Sequence, residues 1–275
     1  MTARSGAPLL RERAPAARRD PFVSIRAELA EVEACYSKLA HVPLRVSARL
    51  LRPLALNDAL LLDGILRCAA ARCYLCRPEL AGMPLPDDVR VPLPLAYSSG
   101  TPRDAYPLAS LAFADQDAEV VVRPGEPALL EHAVTWHKTW EHSGDDYLVF
   151  RSESGKPLRG KISLGGAQFK GWAMSLTVLQ VRRLWWWARG DAAEVARLLE
   201  HAPAVGKKAS WGFGLVDRWE VEEAAEDWSE RRADGRPTRP LPITDPQPPH
   251  SIRATGALRS PAYRAREWRD IWLPD

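Results

Sequence analysis

Long hydrophobic runs are missing from this chain, and no stretch approaches the ~20 apolar residues that span a bilayer. The N-terminus carries no apolar h-region, so a secretory signal is not expected. Cysteine is scarce: the four residues are Cys35, Cys68, Cys73 and Cys76. In a chain of 275 residues without a signal they make a poor disulfide framework, which points to a reducing cytoplasm. Net charge is only +3 at neutral pH, so the bulk balance neither demands nor excludes a polyanionic partner. Tryptophan is absent before Trp136, and all eleven lie from there onward. Two phosphate-binding signatures are also lacking. A Walker loop needs G-x4-G-K-[ST] between a strand and a following helix, whereas Lys207 and Lys208 precede Gly212 in a segment running from helix to strand. A dinucleotide fingerprint needs a third spaced glycine, and after Gly212 and Gly214 that position is Asp217.

What is present is uneven in its distribution. From Arg159 to Arg218 there are ten Lys and Arg against four Asp and Glu, and from Trp219 to Asp234 the sign reverses, with seven acids against two bases. A locally basic stretch in a near-neutral chain suggests a phosphate site, although a solvated face is the plainer alternative. The run Trp185-Trp186-Trp187 on a strand puts rings on both faces, so at least one is expected in the core. Residues 1–20 are basic and broken by Pro8 and Pro15, and are expected as a disordered tail. Residues 42–52 alternate, with Leu44, Val46, Ala48 and Leu50 on one face, as a half-buried strand does. Pro53 ends it, Asn57 or Asp58 can cap a helix over 59–75, and Pro78 stops that helix. Residues 84–160 hold short β-like pieces (91–97, 119–122, 147–150) between Pro, Gly and Asp and read as an insertion. Residues 171–187 read as one strand. Asp191 with Glu194 forms a capping box for a helix over 192–200, closed by Pro203 and Gly206, and 212–221 is expected as another strand. The last stretch, 231–275, is rich in proline and reads as an extended tail anchored by Tyr263, Trp268 and Trp272. The two strand–helix pairs make the fold class α+β, ferredoxin-like (RRM-like), with a core over 21–230.

The segment that carries chemistry is Gly206-Lys207-Lys208-Ala209-Ser210-Trp211-Gly212-Phe213-Gly214. Glycines let a backbone approach a ligand closely and adopt positive φ, and successive N–H groups in such a loop can cradle an anion. Lys207 and Lys208 add charge for phosphates, while Trp211 and Phe213 offer faces for bases. The competing structural reading is a helix C-cap running into a glycine-rich, bulged strand.

This loop resembles the C-terminal glycine-rich loop of the CRISPR-associated RAMP superfamily, with its G-[KR]-[KR]-x-S-x-G-[FY]-G core between a helix and a strand. The strand around 44–51 and the helix containing Asp63-Gly64-Ile65-Leu66 resemble the RAMP subunit of type IV effector complexes that holds the crRNA 5′ handle. The resemblance covers residues 42–77 and 160–222. It implies a ferredoxin-like RAMP fold and a non-catalytic subunit of a ribonucleoprotein, bound to crRNA and to backbone and large effector subunits, and beside the protospacer-adjacent motif of target DNA. Carried onto this sequence, Gly206, Lys207, Lys208, Ser210, Trp211, Gly212, Phe213 and Gly214 are the RNA-binding candidates. Lys161, Lys170 and Trp172 are added from charge and their glycine-flanked setting.

Two other clusters deserve weighing. Cys68, Cys73 and Cys76 with His41 or Cys35 could suggest zinc, but on a helix the sulfurs spread over too wide an arc, and buried free thiols are expected instead. No metal or cofactor is therefore expected. His132, His137 and His142, flanked by Trp136, Lys138 and Trp140, are the best catalytic candidates, since a histidine general base can cleave RNA. That alternative makes the protein a metal-independent endoribonuclease processing pre-crRNA, with His137 as its base. The histidines share no single face, so a basic-aromatic contact loop is favoured.

Overall fold

The structure is a computed structural model that describes residues 20, 22–56, 59–80, 83, 86, 89–99, 105–123, 130–138, 172–258 and 268–275. Its centre is a three-stranded antiparallel sheet in which β1 (Val42–Leu50) lies between β5 (Arg183–Gly190) and β6 (Val216–Glu223). The alternation of β1 decides its faces. Leu44, Val46 and Ala48 have no exposed surface, and they share one core with Leu184, Trp186 and Ala188 of β5. The same core takes Leu62, Ile65, Leu66, Ala69 and Ala70 of α2 (Leu62–Leu75) and Val195, Leu198 and Leu199 of α3 (Ala192–Leu199). Each buried Leu, Ile or Val among them contributes roughly 1.5–3 kcal/mol, so this layer dominates the fold. The tryptophan run splits as expected: Trp186 joins this core, while Trp185 and Trp187 are buried on the opposite face with Leu111, Phe113 and Val121.

The chain beyond α2 meets the outer edge of β5. Isolated antiparallel bridges join Leu95 to Gly190, Ala109 to Ala188 and Phe113 to Trp185. The 91–97 and 119–122 pieces thus form bridges and turns rather than regular strands, and 147–150 lies outside the described residues. A second sheet has β4 (Trp172–Gln180) between the two-residue β2 (Leu54–Ala55) and β3 (Leu130–Lys138). The expected single strand over 171–187 is therefore two strands in two sheets, broken at Val181-Arg182.

Several boundaries differ from expectation for physical reasons. Helix α2 begins at Leu62, not 59, with Leu61 as its extended N-cap and no side-chain cap. The chain instead spends Leu54 and Ala55 on β2, while Asn57 and Asp58 lie outside the described residues. Helix α1 (Phe22–Tyr36), absent from the sequence reading, buries Phe22, Ile25, Leu29 and Tyr36. It is held by a polar junction in which Arg197 donates to Glu194 at 2.9 Å and to the hydroxyls of Tyr36 (3.1 Å) and Tyr74 (2.9 Å). Burial pushes the Tyr36 phenol well above its ordinary value, with Tyr74 adding to the shift. All four cysteines are free, but Cys35, Cys68 and Cys76 are exposed rather than buried.

The proline-rich end is also more ordered than an extended tail. It forms a small sheet of β7 (Leu241–Pro242), β9 (Arg269–Pro274) and β8 (Ser251–Gly256), in that order. Leu241, Leu258 and Ile271 pack there with Tyr106. Of its expected anchors, Trp272 donates its indole N–H to Asp245 O at 2.9 Å, Trp268 is exposed, and Tyr263 lies outside the described residues. The join to the body is Arg239, which is fully buried. Its guanidinium lies 4.2 Å from the Tyr106 ring centroid and donates to Ala109 O at 3.1 Å and to the carbonyls of Pro107 and Leu258.

Candidate nucleic-acid interface

Helix α3 sets the direction of the loop. The Asp191 carboxylate accepts from Glu194 N at 2.9 Å, which is half of a capping box. The other half is absent because Glu194 faces Arg197 and Tyr36 instead. The helix then ends, Ala204 bridges Leu215, and Val205 N donates to Gly214 O at 2.9 Å, which closes a short loop. Three further hydrogen bonds of 2.8 Å pin its foot to the chain around β2: Lys207 N to Ala55 O, Gly214 N to Pro53 O, and Leu51 N to Leu215 O.

The glycines at the foot are structural. Gly206 (φ +77°) and Gly214 (φ +63°) adopt left-handed backbone. A Cβ at Gly206 would lie 2.6 Å from Ala55 O, and one at Gly214 would lie 2.0 Å from Val205 O. Phe213 also belongs to the scaffold, because it packs on buried Ala55, Leu176 and Val178. Gly212 differs: its φ is +89°, yet a Cβ there would meet nothing within 4 Å.

The tip is a 3-10 turn over Ala209–Trp211, between the left-handed Lys208 (φ 61°) and Gly212. Trp211 N donates to Lys208 O and Gly212 N to Ala209 O, each at 2.9 Å. Lys207, Ser210 and Trp211 are exposed at this tip, and the Lys208 ammonium sits 3.9 Å from the Trp211 ring centroid. Trp211 is 36% exposed, which removes it from the core. The backbone N–H groups of Lys207, Trp211, Gly212 and Gly214 are bonded to carbonyls, so any cradle of successive amides is confined to the first turn of the tip, at Ala209 and Ser210.

Two basic residues beside the foot escaped the sequence reading. Leu50 N donates to Arg182 O at 2.8 Å, so exposed Arg182 stands opposite Leu50, and exposed Arg52 follows two residues beyond. Only the pairing of chain segments far apart in sequence reveals that neighbourhood. The remaining arginines of the central sheet are engaged. Arg45 pairs with Glu222 at 2.8 Å, Arg49 with Asp217 at 3.5 Å, and Glu220 takes both Arg183 (3.5 Å) and Arg218 (2.9 Å). Strand β6 thus sets the acidic stretch that follows Arg218 directly against the basic face.

Of the other expected contacts, Lys161, Lys170 and His142 lie outside the described residues. Trp172 opens β4 opposite Lys138, and His137 pairs with Ala173. Ala55, which anchors the loop, pairs with Val178. At ~3.3 Å per residue, Trp172 lies about 20 Å and His137's partner about 17 Å along the strand from that anchor. Leu176, in the cluster on which Phe213 packs, lies between that anchor and both positions. His132 pairs with Val178 itself.

The sequence profile of a family described as CRISPR type IV associated protein Csf3 matches residues 42–271. No curated protein matches the sequence. Among solved structures, the chain is similar to a chain of the "Cryo-EM structure of the Type III-B Cmr-beta bound to cognate target RNA". That similarity has 12% identity and a TM-score of 0.31 and covers 74% of this chain and 69% of that one. Among the described residues no helix is long and apolar enough to cross a membrane.

Proposed function

Since the chain belongs to the family of CRISPR type IV associated protein Csf3, we propose that it is a non-catalytic, crRNA-binding subunit of a type IV effector ribonucleoprotein. In this reading it caps the 5′ handle of the crRNA, sits beside the protospacer-adjacent motif of target DNA, and contacts the backbone and large effector subunits. The observation that carries it is the loop tip, where Lys207, Lys208, Ser210 and Trp211 gather on a foot held by hydrogen bonds to Pro53 and Ala55. Charge for phosphates beside an aromatic face for a base suits a flexible RNA strand, and Arg52 and Arg182 widen the basic zone.

The fold reading is a ferredoxin-like RAMP core. It is supported by the strand order β5-β1-β6, all antiparallel, with α2 following β1 and α3 joining β5 to β6. Two β-α-β halves give that order, and the bridges from Leu95, Ala109 and Phe113 stand where a fourth strand pairs with β5.

The test is RNA binding by Lys207→Ala across a salt series. Each lost phosphate contact on single strands flattens the slope of log K against log salt by about 0.7. An unchanged slope when both Lys207 and Lys208 are replaced by Ala rejects the loop as the phosphate site. Incubation of repeat RNA without metal belongs to the same experiment: cleavage at one position that His137→Ala abolishes would replace the scaffold reading with a nuclease.

A further inference from the structure

The contact between Lys208 and Trp211 assigns the loop a more specific ligand. Resting on the RNA-binding reading above, we propose that the tip takes one unpaired nucleotide, its base on the Trp211 ring, and that Lys208 covers that ring until the nucleotide arrives. The ammonium lies 3.9 Å from the ring centroid, well within cation–π range. A base stacking on the same face must displace it, and the released ammonium is then placed for that nucleotide's phosphate.

The local backbone supports an exchange of this kind. Lys208 holds φ 61°, a conformation that L residues with long side chains seldom adopt. This conformation directs the chain into the 3-10 turn whose last residue is Trp211, so ring and ammonium are brought together by three residues of backbone. Gly212, next to the ring, has open space where a side chain would stand. Phe213 is excluded as a second platform because it packs on Ala55, Leu176 and Val178. One ring, one lysine and one gap fit one splayed base rather than a stacked helix.

A ring covered by lysine has a consequence that simple charge attraction lacks. Lys208 strengthens binding through the phosphate and weakens it by competing for the ring. The first effect fades as salt rises; the second, a surface cation–π contact, is a factor of roughly two to five. Lys208→Asn removes the charge and keeps a residue that tolerates left-handed backbone.

The experiment measures binding of the full-length protein to an unstructured 12-nucleotide RNA and to the same strand annealed in a duplex, from low salt to about 0.5 M. Lys208→Asn is expected to bind more weakly than wild type at low salt and equally or up to fivefold more tightly at the highest salt. Lys207→Ala, which uncovers no ring, is expected to stay weaker throughout. Trp211→Leu is expected to lose roughly 5- to 100-fold on the single strand and little on the duplex, with Trp211→Phe recovering part of the loss. Circular dichroism melts of each variant distinguish lost contact from lost fold. If Lys208→Asn stays weaker at every salt, or if Trp211→Leu binds both RNAs like wild type, the ring exchange is wrong while RNA binding stands. If wild type binds neither RNA, both readings fall.

Discussion

Adding a methyl group to each loop glycine separates scaffold from contact surface. At Gly214 the new Cβ lies 2.0 Å from Val205 O, so backbone has to move. The left-handed conformation costs an L residue roughly 1–2 kcal/mol. The shift also disrupts the bonds from Val205 N to Gly214 O and from Gly214 N to Pro53 O, each worth about 0.5–1.5 kcal/mol. Gly214→Ala should therefore destabilise the protein by about 2–5 kcal/mol. At Gly212 only the backbone conformation is at stake, because nothing lies within 4 Å, and the cost is about 1–2 kcal/mol. At roughly 2–4 °C per kcal/mol for a domain of this size, the melting temperature should fall by on the order of 10 °C for Gly214→Ala and by about half that or less for Gly212→Ala. Thermal melts followed by circular dichroism measure both. If Gly214→Ala melts with wild type while Gly212→Ala does not, the assignment of Gly214 to the foot is wrong. A further expectation follows for RNA: Gly212→Ala alters the tip with most of the stability intact, so any loss of affinity there reports on contact.

Arg239→Met should cost about 3 kcal/mol or more in denaturant unfolding, since it leaves three carbonyls without their donor at roughly 1–3 kcal/mol for each that stays buried. A loss below about 1 kcal/mol would show that Arg239 does not lock the C-terminal sheet. Burial holds the His41 imidazole below its ordinary value. The folded state therefore binds that proton more weakly than the unfolded state, and this contribution to stability falls as pH drops below about 6.5 toward the lowered folded value. His41→Gln should flatten that part of the stability–pH curve, and an unchanged curve in the variant would contradict it.

Much of the central sheet is legible in the residues. The alternation of Leu44, Val46 and Ala48 gives β1 its faces, and Asp191 signals the start of α3 through a cap that the structure contains. The β4–β5 break is not legible, because Gln180, Val181 and Arg182 include no Gly, Pro or Asn to punctuate it. Those strands separate because they pair with different partners, a tertiary fact. The C-terminal sheet is hidden by its prolines, yet Pro242 and Pro274 sit in β7 and at the end of β9, short elements where a missing donor is tolerated. At the loop, sequence identifies the chemistry but not its division of labour. Gly206, Gly214 and Phe213 look like contact residues until Ala55, Val205 and Val178 are placed around them. Arg52 and Arg182 carry no local signal at all.

The central claim is that this chain binds the crRNA 5′ handle through the 206–214 loop. Filter binding of the purified protein to a CRISPR-repeat RNA and to a scrambled RNA, across a salt series, tests it most directly. The account predicts salt-dependent binding that favours the repeat 5′ handle, without cleavage, and that weakens when Lys207 is replaced. Equal binding of both RNAs, or binding indifferent to the loop, would contradict it.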